Sequence, residues 1–555
     1  MESKDLQAEI HPLKSEEGNA PGKGEANCAE KVGVLRTRGR LSSWRTAAFF
    51  LSLFLCLTVV FAFSFIIPCP VRPISQKTWN RTFDNTVAYQ FLATRDVDRD
   101  SVQDVLFAFQ ASSGGDNSSG GLNSSCADEG FASPCAFLTA LSGTDGRTLW
   151  QKPVAEEPLV VDCSVESDRS PGCLVVGKPG FVTVLDLNTG KNLWKQSADF
   201  GANATVLKPL LEVPDVDGDG APDFLVLTAT GKEIKSWFFS GKHGTLLGSQ
   251  GSLSLPGWIG HLLQVTKKGA HYVLFCTANA LYGYSVKELY HTAIGLESHR
   301  DLSLTEDPHW EVAIDSLSHT LPLLSSSEIH YLKKMPGKSG TNILVVRSAM
   351  LELLDGQHLG SVWASNIPHT LSEPVFGSYD RDTVDIVIES RVVPDRKKVM
   401  IVKGSSGDVD WETELLWGPG TPQAATLATV NHRSVFLFWG AHQEDANATK
   451  SEGTQQQHVL YLFHPSFTNV LLEMTSVQEP IVVFKAALLE RSRHACYLLL
   501  TGPQAGGVPG QVVVSKRKLK EDIGGSRVIW LNRLAQDKEQ NVRDHFLRMR
   551  YRSLG

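Results

Sequence analysis

The stretch "TAAFFLSLFLCLTVVFAFSFII" (Thr46 to Ile67) most constrains this 555-residue chain: 22 residues without one charge. A helix needs ~20 apolar residues to cross a bilayer. A cleaved signal peptide has an apolar core of ~7–15 residues close to the chain start. Here 45 residues come first, and "PCPVRP" follows in place of a small-x-small cleavage pattern. Residues 46–67 are therefore predicted to be an uncleaved transmembrane signal-anchor helix. Lys31, Arg36, Arg38, Arg40 and Arg45 precede it, whereas only Arg72, Lys77 and Arg81 follow soon after. The positive-inside rule then keeps the N-terminus cytosolic and puts residues 68–555 outside or in the lumen, a type II arrangement.

Two further patterns agree with that orientation. The N-x-S/T sequons at Asn80, Asn117, Asn123, Asn203 and Asn447 all lie beyond the anchor. They are candidate glycosylation sites. Seven of the nine cysteines also lie there. The close-spaced pairs Cys126/Cys135 and Cys163/Cys173 read as disulfides of an oxidising compartment. Cys276 and Cys496 are a candidate long-range pair, and Cys69 is left odd. The tail, residues 1–45, is rich in Glu, Lys, Gly and Ser, and so is expected to be disordered, with serines open to phosphorylation. A net charge of -7 and the lack of a long basic run in the main body argue against nucleic-acid binding.

After Pro68 the chain changes to short apolar runs separated by Gly/Asp/Asn turns, such as "DVLFAFQ", "FVTVLDL" and "FLVLTAT". These read as many strands of ~4–7 residues. Helical periodicity is confined to Arg533–Arg552, predicted as a basic helix packing Leu534, Val542, Phe546, Leu547 and Met549 against the rest. One pattern recurs: "LSGTDGRTLWQK" at Leu141 matches "LDLNTGKNLWKQ" at Leu185. Weaker copies begin at Phe239, Leu351 and Val402. Each reads as strand, Gly-closed turn and strand, with Gly supplying the positive φ of a two-residue hairpin. The Trp is expected to pack between sheets. Trp150 and Trp194 are 44 residues apart, within the ~40–50 residue period of propeller blades. The expected fold is all-β: a β-propeller of about 7–8 blades over 91–530. Residues 68–90 are its stalk or first strand, and 531–555 its terminal helix.

"VPDVDGDGAPDFLVL" places Asp215, Asp217, Asp219, Ala221 and Asp223 at positions 1, 3, 5, 7 and 9, with Gly220 at the bend. Alternation sends odd-numbered oxygens to one side, where they can converge on Ca²⁺; Ala221 would offer its carbonyl. An EF-hand needs Glu at position 12, and Val226 stands there. A second copy gives Asp96, Asp98, Asp100, Val102 and Asp104, with Arg99 at position 4 and Ser101 in place of the bending Gly. A third trace, Asp380, Asp382 and Asp385, is one residue short and is expected to form a turn without metal. Structural calcium is the expected cofactor. The competing reading is Asp-capped hairpin turns.

These loops resemble the FG-GAP/cage motif of integrin α-subunit propellers, through the D-x-D-G-D-x-x-D lead-in to a strand. "TDGRTLW" and "NTGKNLW" resemble blades of quinoprotein-type propellers. With the "EIHPLKSEE" tail and the "AAFFLSLFLCL…IPCP" boundary, the chain resembles over its full length the integrin-alpha FG-GAP repeat-containing membrane proteins, the family with sequence similarity two-three-four. That resemblance implies a single-pass cell-surface glycoprotein with a propeller-like ectodomain, and no established reaction. An integrin-like ligand site does not carry over, because only the calcium loops match.

No G-x-S-x-G, H-E-x-x-H or C-x-x-C occurs, and "PGKSG" lacks the first Gly of a phosphate loop. The expectation is a non-enzymatic binding or scaffolding protein at the plasma membrane, whose partner is a membrane protein in cis or an extracellular ligand. The alternatives are a secretory-pathway maturation or trafficking partner of a membrane client and, by fold analogy alone, a quinone-dependent dehydrogenase.

Overall fold

A computed structural model describes residues 43–66, 78–112, 125–167, 170–201, 203–295, 304–324, 327–337, 340–441, 457–489, 495–532 and 537–552. The chain divides into two units, Met1–Arg72 and Pro73–Gly555. Within the first, α1 (Ser43–Ile66) contains a 19-residue stretch, Trp44–Ala62, that is long and apolar enough to cross a membrane. Its side chains are bare within the unit, as a lipid-facing helix requires.

The second unit is built of antiparallel sheets. β1 (Trp79–Arg95) spans two of them. Its first half, Trp79–Thr86, pairs with Gly510–Lys518. From Thr86 onward, across a bulge between Ala88 and Leu92, its second half pairs with β2 (Asp104–Ala111). β3 (Cys135–Leu141) and β4 (Thr148–Ala155) complete that sheet. Seven sheets are present among the described residues, and the one holding β1 is two blades sharing a strand, so the molecule has eight blades. The propeller therefore starts at Trp79, inside the segment expected as stalk or first strand.

Eight apolar cores match the eight blades, one per blade–blade interface. The period-two alternation of each strand explains this. In blade 3, Phe224 and Val226 face blade 2, while Leu225 and Leu227 face blade 4. Both faces of a strand are thus buried, so strands such as "FLVLTAT" read as continuous apolar runs. The last core joins Leu498, Leu500, Val512 and Val514 of blade 8 to Val105, Phe107 and Phe109 of blade 1. The ring is closed by a strand from the start of the chain lying on sheets from its end.

The repeated Gly–Trp hairpins are the turns between third and fourth strands, and the aromatics pack between sheets as expected. Trp79, Trp150, Trp194 and Trp363 each lie against a glycine (Gly146, Gly190, Gly244 and Gly407) in the next blade's turn. A Cβ added at Gly146 would meet the Trp79 ring at 2.7 Å. The turns themselves differ from expectation. Ser142 N–H pairs with Arg147 C=O at 2.8 Å and Gly146 N–H with Ser142 C=O at 2.9 Å, enclosing four residues rather than two. The extra length makes the flat platform on which the indole rests.

Helices break the repeat in blade 4. α2 (Val286–Ile294) and α3 (Pro308–Ala313) lie between its third strand, Leu281–Ser285, and its fourth, Thr320–Leu321. Sequence periodicity missed both, because they are short. α4 (Leu519–Gly525) and α5 (Glu539–Arg548) pack on blades 7 and 8. α5 is shorter than the predicted Arg533–Arg552 helix, but buries Val542 and Phe546 as expected, as does Met549 just past its end; Leu547 is partly buried there. Leu534 lies outside the described residues. Cys126–Cys135 and Cys163–Cys173 are bridged, with Cα separations of 5.8 and 3.9 Å. Cys276 belongs to blade 4 and Cys496 to blade 8, so the long-range bridge between them does not form.

Candidate functional site

The acidic loops occupy equivalent places. Asp96–Asp104 links the first and second strands of blade 1, Asp215–Asp223 those of blade 3, and Asp380–Asp385 those of blade 6. Antiparallel pairing puts these loops at the same end of the blades as the Gly–Trp turns.

The last acid of each loop opens the second strand and is fully buried. Asp223 Oδ2 accepts the N–H of Val216 at 2.7 Å, and its Oδ1 accepts that of Gly241 at 3.0 Å. Asp104 does the same with Val97 at 2.7 Å and Gly143 at 2.8 Å. Asp385 does so with Tyr379 at 2.8 Å and Gly404 at 3.1 Å. One carboxylate thus ties the acidic loop to the Gly–Trp turn of its own blade. The same three glycines accept on their other side: their carbonyls take the indole N–H of Trp79, Trp194 and Trp363 from the preceding blade, at 3.2, 3.0 and 2.9 Å. Asp, Gly and Trp therefore form a clasp across a blade interface in blades 1, 3 and 6. Only glycine fits, since a Cβ at Gly241 would meet Pro222 O at 1.8 Å.

Spacing alone placed the last acid among the metal ligands and gave no sign of this second task. The signal was present in the Gly of "LSGTDG", "FSGKHG" and "VKGSSG", which only pairing with the acidic loops makes legible.

The outer acids differ in their surroundings. In blade 3, Asp215 accepts from Gly218 at 2.6 Å, Asp219 at 3.1 Å and Gly220 at 2.8 Å. Burial raises its pKa, but these N–H groups outweigh it and hold the carboxyl below its usual range. Asp217 accepts from Asp219 N–H at 3.0 Å. Carboxylate oxygens of Asp215, Asp217 and Asp223 lie within 4.8 Å of one another, as do those of Asp96, Asp98 and Asp104. Ligands ~2.3–2.6 Å from one calcium ion can be separated by about that much, so the donor sets fit calcium. Asp96 Oδ1 is buried and has no hydrogen-bond partner among the described residues. The fifth-position acids point elsewhere: Asp219 accepts from Ser240 Oγ at 2.8 Å and Asp100 from Thr144 Oγ1 at 3.2 Å. Ala221 and Val102 are buried, and their N–H groups bond Asp219 and Asp100.

Blade 1 reproduces the blade 3 loop without its glycines. Arg99 and Ser101 take φ of 62° and 68°, where Gly218 and Gly220 take 80° and 90°. Arg147 lies 3.3 Å from Asp98. In blade 6 the acids are otherwise engaged: Thr383 Oγ1 donates to Asp385 at 2.6 Å, and His432 Nδ1 lies 2.6 Å from Asp382. Burial pushes Asp104 and Asp223 up to about 6, against the pull of their backbone N–H donors, three at Asp104 and two at Asp223.

Of the sequons, Asn80 on β1 and Asn203 before blade 3 are exposed. Asn117, Asn123 and Asn447 lie outside the described residues.

Residues 79–552 match the family model described as the FAM234A/B beta-propeller. The chain belongs to that family. FAM234A of Rattus norvegicus is 44% identical over 564 residues, covering 100% of both chains. FAM234A of Homo sapiens has the same identity and coverage. FAM234B of Gallus gallus is 30% identical, over 91% of this chain and 82% of its own. The FAM234 match spans all eight blades, the three clasps and α5.

Proposed function

We propose that this FAM234 protein is a non-enzymatic, type II single-pass membrane glycoprotein. In this reading its calcium-stabilised propeller binds or scaffolds another protein at the cell surface. The observation that carries this is what the fold does with its convergent acids. The buried ones each accept at least two backbone N–H groups, and the outer ones line loops at metal-ligand separations. Such acids serve architecture, leaving the loops of a rigid ring for recognition. Asp215, Asp217 and Asp223 would hold one ion, and Asp96, Asp98 and Asp104 a second. The spacing adds the carbonyls of Ala221 and Val102, while Asp219 and Asp100, turned to Ser240 and Thr144, stay outside these sets. Bound calcium supplies the positive charge that offsets carboxylate repulsion. Exposed Asn80 and Asn203 and the basic flank of α1 support a lumenal or extracellular propeller.

Intact cells treated with an impermeant biotin reagent should yield biotinylated, glycosidase-sensitive full-length protein, while an epitope on the tail stays protected. Retention in the ER or Golgi would favour the maturation-partner alternative. Labelling of the tail in intact cells would overturn the orientation.

A further inference from the structure

Blade 4 departs from the repeat in a way that leaves a surface to be explained. Its fourth strand is two residues, Thr320–Leu321, and α2 and α3 fill the space before it. The inward sides of both helices are spent on the core: Leu289, Tyr290 and Ala293 pack with blade 3, and Trp310 lies fully buried between blades 4 and 5. The outward side is not. Leu317 is 94% exposed, Val312 87% and Leu324 65%. Leu317 and Val312 are the most exposed large apolar side chains described outside α1. Single exposed apolar residues are ordinary, but Val312 and Leu317 stand close together in one insertion, and Leu324 follows just past its closing strand.

The charge around them is one-sided. Glu288, Glu306, Glu311, Asp315 and Glu328 stand on the described part of this insertion and its exit, with Asp307 buried beneath, against one lysine, Lys287, and the histidines His291, His309 and His319. Lys287 pairs with Glu306 at 3.3 Å, and Lys268 reaches in to Asp307 at 3.0 Å. Of the other four, Glu288 meets His319 at 3.6 Å, Glu328 meets His330 at 4.0 Å, Glu311 accepts from the Tyr272 hydroxyl and Asp315 from that of Ser318, so none pairs with a lysine or arginine among the described residues. Burial raises the Glu288 pKa against the pull of His319, and Glu311 and Glu306 raise it further, so these acids share one region with that histidine.

We infer that this apolar, acid-rimmed face of blade 4 docks a cationic apolar segment of a partner protein. The inference rests on the scaffold reading and gives the partner's chemistry. Charge selects the occupant: an anionic lipid surface would set its phosphates against the rim, and a second copy would set the rim against itself. A segment with Lys or Arg flanking apolar side chains covers Val312 and Leu317 and neutralises the rim together.

The test uses the full chain in phosphatidylcholine nanodiscs and a Leu/Lys amphipathic peptide as probe, with a Leu/Glu peptide of the same apolar pattern beside it. Val312→Ser with Leu317→Ser should weaken Leu/Lys binding about tenfold or more. Glu311→Gln with Glu328→Gln should weaken it severalfold and flatten its salt dependence. Val312, Leu317 and Glu328 are exposed, and Glu311→Gln keeps an oxygen to accept from the Tyr272 hydroxyl, so an unchanged melting temperature is the expected control. Equal affinity for wild type and the Val312/Leu317 variant overturns the surface. So does preference for the Leu/Glu peptide, or patch-dependent flotation with phosphatidylserine vesicles or self-association. None of these results touches surface biotinylation, by which the scaffold reading stands or falls separately.

Discussion

The acidic loops of blades 3 and 6 share one device and differ in another. Both end in a buried aspartate that binds the glycine N–H of the neighbouring turn, and both glycines receive a Trp from the blade before. Only blade 3 sets three carboxylates within 4.8 Å of one another, with no Lys or Arg side chain paired to them among the described residues. In blade 6, Asp382 instead meets His432 and, at 3.9 Å, Arg552. The clasp and the charge cluster are therefore separable. A loop can keep its structural acid while the outer positions turn from clustered carboxylates to ion-pair partners.

Removing the clasp should cost most. Asp223→Ala and Asp385→Ala each strand two backbone N–H groups in buried surroundings, so each should lose about 3 kcal/mol in urea unfolding. Equal losses with and without a chelator would confirm that the clasp in blade 6 needs no metal, whereas calcium should change the loss only for Asp223.

Blade 7 extends the comparison, because Ser434 opens its second strand where blades 1, 3 and 6 have Asp. Its turn begins with His464, whose pKa burial pushes down to about 4, helped by His545 and Arg433. The folded chain holds this imidazole neutral, so its stabilising contribution is complete above the unfolded value near 6.5. It is lost as pH falls from there towards 4. The stability difference between wild type and His464→Gln should shrink by up to about 3 kcal/mol across that window.

Calcium should act more modestly. At millimolar ion, a site of the affinity usual in extracellular modules adds about 1 kcal/mol. Asp217→Ala should abolish that increment at blade 3, and Asp382→Ala should leave it intact.

The smallest effect separates blade 1 from blade 3. Ser101→Gly relieves a left-handed serine and should stabilise by up to about 1 kcal/mol, while Gly220→Ala should destabilise by a similar amount.

Much of this was legible beforehand, for physical reasons. The Gly–Trp repeat reports a local hairpin, and the Asp spacing reports a local loop, so both survive as patterns in one dimension. The clasp joins Asp104 to Gly143 and Asp223 to Gly241, across separations of 39 and 18 residues. Only the pairing of strands reveals it. β1 escaped reading because one continuous strand serves two blades, and no turn marks the passage. α3 escaped because six residues carry less than two turns of periodicity, and its anchor, Trp310, is a single side chain.

Calcium stoichiometry, by native mass spectrometry of the full chain, tests the central claim most directly. Two ions should be bound in the wild type, one in Asp217→Ala and two in Asp382→Ala. A wild type without bound calcium, or one whose calcium survives Asp217→Ala undiminished, would contradict the assignment of the acidic loops.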